Sequence, residues 1–176
     1  MGKIDQPLKI GAVIFPDFEL LDIYGPIEFF GMLNDRVSIK MLAEQPGEIK
    51  SNQGPKGVAD TPLADAADLD VLLVPGGWGT RAGVSNEFFL ELLRAKAESA
   101  RFVASICTGS ALLAKAGILN GKKATSNKMA FDWVTAQGPE VNWIREARWV
   151  EDGKYFTSSG VSAGMDMTLG LIQGHF

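Results

Sequence analysis

The chain has a single cysteine, Cys107, and a single histidine, His175. One cysteine forms no internal disulfide, which suits a reducing cytoplasm. One histidine, next to last in the sequence, removes most histidine-based metal sites and any ordinary Ser-His-Asp triad. No metal and no cofactor are therefore expected. No run approaches the ~18 apolar residues of a membrane span. The first residues, Met1 to Pro7, lack the apolar stretch of a secretory leader. Gln6 stands where a myristoylation signal takes Ser or Thr. There is no block of Lys or Arg and the net charge is −4, which argues against nucleic acid or an anionic membrane as the main partner.

What is present fits one domain spanning residues 1–176, with a hydrophobic fraction of 46% to build its core. No repeat, low-complexity segment or interdomain linker interrupts it. Lys9–Phe15 is a near-continuous apolar run, as a strand buried on both faces of a parallel sheet requires. The loop after it carries Asp17, Glu19 and Asp22, and a helix is predicted to start near Pro26. Val37–Ala43 reads as a second strand and Gly47–Gly57 as a hairpin or irregular excursion. Asp68–Pro75 is a third strand and ends in Gly76-Gly77-Trp78-Gly79. Such glycines let backbone approach a ligand and present N–H groups to it. A helix over Asn86–Ser99 and a strand over Phe102–Ile106 follow. Asn127–Val134 reads as helix, Arg148–Thr157 as a hairpin turning at Asp152-Gly153, and Met165 to about Gln173 as the last helix. This alternation defines an α/β sandwich: a mostly parallel sheet with helices on both faces.

The chain is organised around Arg101–Gly117. There an apolar strand ends at Cys107 and a small-residue helix begins at once. A thiol at a strand-to-helix turn meets outward N–H groups and a helix dipole, conditions that lower its pKa and make a nucleophile. The competing reading is a buried small hydrophobe. Three loops, bearing the acids, Gly76-Gly77 and Cys107, follow strands expected to run parallel. They should therefore meet at one sheet edge, with the parts of a covalent catalytic site. Trp78 is a candidate pocket wall.

Pro75-Gly76-Gly77 followed by Ala104-Ser-Ile-Cys107-Thr108-Gly109 resembles the ThiJ/PfpI superfamily of DJ-type proteins, and the likeness runs from about Leu8 to the end. It implies a flavodoxin-like three-layer sandwich, related to class I glutamine amidotransferases, with the cysteine on a nucleophile elbow. Phe15-Pro16, Leu21-Asp22-Ile-Tyr-Gly-Pro26, Ile106–Ser110 and Gly160-Val-Ser-Ala-Gly164-Met-Asp166 look like the isocyanide hydratase branch. The sensory domains of some AraC-type regulators share much of this pattern. The resemblance selects Asp22 from the three loop acids as the carboxyl lying against the sulfur. It implies Cys107, Asp22 and Thr108 as working groups and a homodimer as the usual assembly. Relatives usually continue further past the last helix, so a missing segment would expose apolar surface. Where protease-like and amidase-like members place histidine, this sequence has Asn127, which cannot act as a general base at neutral pH. Peptidase and amidase activities are disfavoured accordingly.

The resulting expectation is a hydro-lyase adding water to an isocyanide through a cysteine thioimidate. Gly76, Gly77 and Thr108 would supply backbone donors, the Thr108 hydroxyl would orient water or carboxylate, and Asn127 and Gly160 would line the pocket. Two other readings stay open. One is an oxidative-stress or glyoxalase-type protein working through Cys107. The other is a ligand-binding sensory domain.

Overall fold

The computed structural model describes residues 6–176; the Met1–Asp5 part of the leader and myristoylation readings lies outside them. In chain order the elements are β1 (Leu8–Val13), α1 (Leu20–Gly31), β2 (Val37–Ala43), β3 (Gly47–Lys50), β4 (Lys56–Ala59), β5 (Thr61–Pro62) and β6 (Val71–Val74). Then come α2 (Thr80–Gly83), α3 (Glu87–Ser99), β7 (Phe102–Ile106), α4 (Gly109–Lys115), β8 (Lys123–Ala124) and α5 (Phe131–Gln137). The chain ends with β9 (Asn142–Trp143), β10 (Trp149–Asp152), β11 (Tyr155–Ser158) and α6 (Val161–His175).

Seven strands form the main sheet in the order β10-β11-β7-β6-β1-β2-β5. All neighbours pair parallel except β10 with β11. Every residue of β6 and β7 is buried, which is why both read as unbroken apolar runs rather than alternating ones. Successive side chains serve opposite faces. Phe102 and Ile106 of β7 meet Phe176 and Gly164 on the α6 side, where α6 also packs on α1. Helices α2, α3 and α5 gather around α4 on the other side. Each large apolar side chain removed from water here contributes roughly 1.5–3 kcal/mol. Among the described residues no helix is long and apolar enough to cross a membrane.

Four boundaries differ from the sequence expectation. Helix α1 begins at Leu20, so Pro26 lies inside it and Asp22 sits in its first turn rather than in the loop. The start is fixed by tertiary hydrogen bonds that no local pattern records. Glu19 N–H donates to the Gly76 carbonyl at 2.8 Å and Leu20 N–H to Gln53 Oε1 at 3.0 Å. Helix α5 starts only at Phe131. Asn127 Oδ1 accepts the N–H groups of Met129 and Ala130 at 3.0 and 3.1 Å, and this side-chain turn replaces the first helical bonds.

The last helix begins at Val161, four residues early, because its small residues serve packing: a Cβ at Gly164 would come 2.7 Å from Ile106 Cγ2. The β10–β11 turn is Gly153-Lys154, since Asp152 pairs with Tyr155. Asp152 is kept in the strand, where its Oδ2 accepts the Lys123 N–H at 2.8 Å. The excursion is a true hairpin, β3 pairing antiparallel with β4.

Candidate active site

The chain leaves β1 in one direction to β2 and later passes to the other side through β6, so β1 and β6 flank a topological switch point. Crevices at the carboxyl ends of such strands are where open α/β sheets bind ligands. The loops after β1 and β6 are sewn together there. Besides the Glu19 bond to Gly76, Gly79 N–H donates to the Asp17 carbonyl at 3.1 Å. Gly77 has φ +114°, and a Cβ on it would lie 2.4 Å from Asp17 O and 2.5 Å from Glu19 N. Only glycine satisfies both the conformation and the contact.

The three loop acids have separate fates. Asp17 takes a left-handed turn conformation, with φ 60°. Glu19 lines the cavity beside Cys107. Its carboxylate accepts from Gln53 Nε2 at 2.6 Å and Asn52 Nδ2 at 3.5 Å, so the loop of the β3–β4 hairpin holds it. Asp22 is fully buried; its Oδ2 accepts the Gly76 N–H at 2.9 Å and its Oδ1 has no hydrogen-bond partner. Burial raises its pKa to about 7, against the lowering effect of the Gly76 bond and with a smaller push from Glu19.

Cys107 adopts φ 56°, a left-handed conformation strained for a residue other than glycine, at the turn from β7 into α4. Its backbone is clamped. The N–H donates to the Ser158 carbonyl at 3.1 Å, and its carbonyl accepts the Ser126 hydroxyl at 2.9 Å. The expectation of a lowered thiol pKa is overturned. Desolvation pushes the thiol up to about 12, Asp22 and Glu19 add to the rise, and hydrogen bonds from Thr108 N–H and the Asn127 side chain only partly oppose it. Helix α4, with seven residues, offers too little dipole to outweigh burial and two nearby carboxyl groups.

The expected donors are differently employed. Gly76 N–H is committed to Asp22, and Gly77 N–H to Thr108 Oγ1 at 3.1 Å. The Thr108 hydroxyl, expected to orient water, is buried and lies 3.2 Å from the Thr80 hydroxyl. It ties the elbow to the glycine turn. The backbone donor that faces the sulfur is Thr108 N–H. Asn127 turns its Oδ1 to the Met129 and Ala130 N–H groups and its amide donor to Cys107. Gly160 stands behind it, where a Cβ would lie 4.0 Å from Asn127 Nδ2. His175 rests on Phe102 with ring centroids 4.5 Å apart. Phe102 begins β7 and Cys107 follows its end, so the histidine sits at the opposite sheet edge from the sulfur.

A cavity of about 480 Å³ opens onto Cys107, with Asn127, Trp78 and Trp133 among its walls. Trp78 is 65% exposed, at its mouth. The cavity also contains a residue that sequence reasoning missed, Arg81. Its guanidinium carbon lies 4.7 Å from the Trp78 ring centroid and 4.1 Å from that of Trp133. Burial lowers the Arg81 pKa, an effect that Cys107 opposes when it is ionised. No local signal marks Arg81, because Trp133 arrives from a distant element. Among the described residues, no group of three His, Cys, Asp or Glu side chains is placed to hold a metal ion.

Comparison with known proteins agrees with this architecture. Residues 8–174 match the DJ-1/PfpI family, and the chain belongs to that family. It is 36% identical to an isonitrile hydratase of Pseudomonas putida over 166 residues, which cover 94% of this chain and 71% of the relative. It is 28% identical to the HTH-type transcriptional regulator GbdR of Pseudomonas aeruginosa, over 95% of this chain but 46% of the regulator. A crystal structure of a ThiJ/PfpI family protein from Pseudomonas syringae superposes with a TM-score of 0.86 at 31% identity, covering 98% of this chain and 71% of that one.

Proposed function

We propose that the protein hydrates an isocyanide to an N-substituted formamide, with Cys107 as nucleophile and Asp22 as the group that moves the proton. The observation that carries this reading is the wholly buried Asp22 carboxyl, with a pKa of about 7 and an Oδ1 that has no hydrogen-bond partner, whose charge acts on the elbow thiol. A base with a pKa near ambient pH is well matched to a proton it must both take and return. Asp22 accepts the thiol proton as Sγ attacks the terminal carbon of R–N≡C, and the same proton passes to that carbon. The product is the thioimidate R–N=CH–S–Cys107. Water then adds to the carbon, giving one proton to Asp22, which passes it to nitrogen. Collapse of R–NH–CH(OH)–S–Cys107 returns the hydroxyl proton to sulfur, breaks the C–S bond and frees R–NH–CHO. The overall change is addition of one water.

In this scheme Thr108 N–H and the Asn127 amide stabilise negative charge on sulfur. A single well-aimed donor of this kind is worth about 3 kcal/mol at a transition state. Thr108 acts through its backbone, and its hydroxyl positions Gly77. The 36% identity to an isonitrile hydratase supports the substrate class. Incubation with aryl isocyanides, one plain and one bearing a carboxylate, each followed for formamide by chromatography, is the test. Turnover by the native protein and none by Cys107→Ala is the expected result; no turnover by the native protein overturns it. The match to a transcriptional regulator supports a second reading, a ligand-sensing domain. Saturable binding of isocyanide or formamide without turnover would select it.

A further inference from the structure

We infer that ligands of the Cys107 cavity carry a carboxylate, received by Arg81. The Arg81 guanidinium carbon lies over both the Trp78 and Trp133 rings, 4.7 and 4.1 Å from their centroids. Two indoles hold the cation at this place in the cavity, while its N–H groups remain free to donate in the guanidinium plane. Among the described residues a single donor is used, Nη1 to Thr80 Oγ1 at 3.2 Å, and no carboxylate lies within ion-pair distance. The one carboxylate on the same cavity, Glu19, is held by Gln53 and Asn52 instead. The cavity therefore contains a cation held between two indoles, with open donors and no carboxylate paired to it. A planar fork of N–H groups matches the two oxygens of a carboxylate. The indoles beside it offer apolar surface to the rest of the ligand.

Combined with the proposed hydration, on which this part rests, the substrate class is an isocyanide bearing a carboxylate. The carboxylate arm itself needs only that Cys107 be reachable from the cavity.

The test uses two reagents that alkylate Cys107 alike, its sulfur displacing iodide while the thiol proton is lost. Iodoacetate carries a carboxylate and iodoacetamide does not, so the ratio of their rates cancels the thiol pKa. Relative to Arg81→Met, the native protein should favour iodoacetate by about tenfold or more, the effect of one charge-assisted pair. Arg81→Lys should retain part of that preference. A ratio unchanged within about twofold, or equal slowing of both reagents, overturns the proposal; equal slowing would mean that Arg81 acts on the thiol and not on the ligand. A second measurement needs no variant. Benzoate should protect native Cys107 from iodoacetamide where benzamide at the same concentration does not, and equal protection, or none by benzoate, also overturns the proposal. Loss of hydratase activity as a reading would show as absent formamide with these preferences intact, so the two failures are distinguishable.

Discussion

Replacing Asp22 with Asn should change the pH dependence of stability as well as stability itself. Asp22 is fully buried and its pKa rises from 3.8 to about 7 on folding. Between these values the native protein binds a proton that the unfolded chain does not. Its contribution is therefore fully present below the unfolded pKa and is lost as pH rises through the folded one. From pH 5.5 to about 7 the native state forfeits roughly 1.4 kcal/mol per pH unit, or roughly 2 kcal/mol in all, and above that the loss levels off. Asparagine does not titrate. It preserves an acceptor for Gly76 N–H, but puts an amide donor where Oδ1 now has no partner. That mismatch costs about 1–3 kcal/mol at every pH. The assay is thermal unfolding of both proteins at pH 5.5 and 8.5. Relative to native, Asp22→Asn should gain roughly 4–8 °C on going to the higher pH, taking 2–4 °C per kcal/mol for a chain of this size. A difference in Tm that is the same at both pH values refutes the idea that burial holds a proton on Asp22.

Three further outcomes follow from the same geometry. Alkylation of Cys107 by iodoacetamide should accelerate with pH from 7 to 10 without levelling, because the thiol titrates near 12; a plateau below pH 8 would contradict that. Asn127→Ala removes an amide hydrogen bond to the sulfur and should slow that alkylation several-fold at pH 8.5, with an equal or higher rate as the contrary result. Gly77→Ala forces a Cβ to 2.4 Å from Asp17 O at φ +114° and should cost about 2–4 kcal/mol in urea unfolding. A loss under 0.5 kcal/mol would mean that the two loops are not locked together.

The elbow and the sheet were legible because their signals are local. A buried parallel strand is a run of apolar residues, and a turn that follows it directly must present whatever residue comes next, here Cys107. The same reading misplaced the start of α1, because Pro26 suits a first helical turn and the bonds that begin the helix earlier come from Gly76 and Gln53. Spacing alone could not choose among Asp17, Glu19 and Asp22. The family resemblance named Asp22; the structure adds that it is the one wholly buried. Arg81 was invisible for a related reason. Its environment is made by two tryptophans on different elements, and no single stretch contains them. The sign of the thiol shift was also beyond reach, since it depends on how much water and how many carboxyl groups surround the sulfur.

That sign bears on the proposed chemistry. A thiol held near 12 beside a carboxyl near 7 keeps its proton at rest. Oxidation by peroxide proceeds from the thiolate, so a resting site of this kind is poorly suited to sensing oxidant. It is better suited to a reaction in which deprotonation and attack occur together and the proton has an immediate destination. Isocyanide hydration has that form, because the carbon attacked by sulfur is the atom that needs the proton. Asp22 can serve as both acceptor and donor because its pKa lies near neutrality. The high thiol pKa then becomes an advantage, for a basic thiolate formed only at the moment of attack is a stronger nucleophile than a stabilised one.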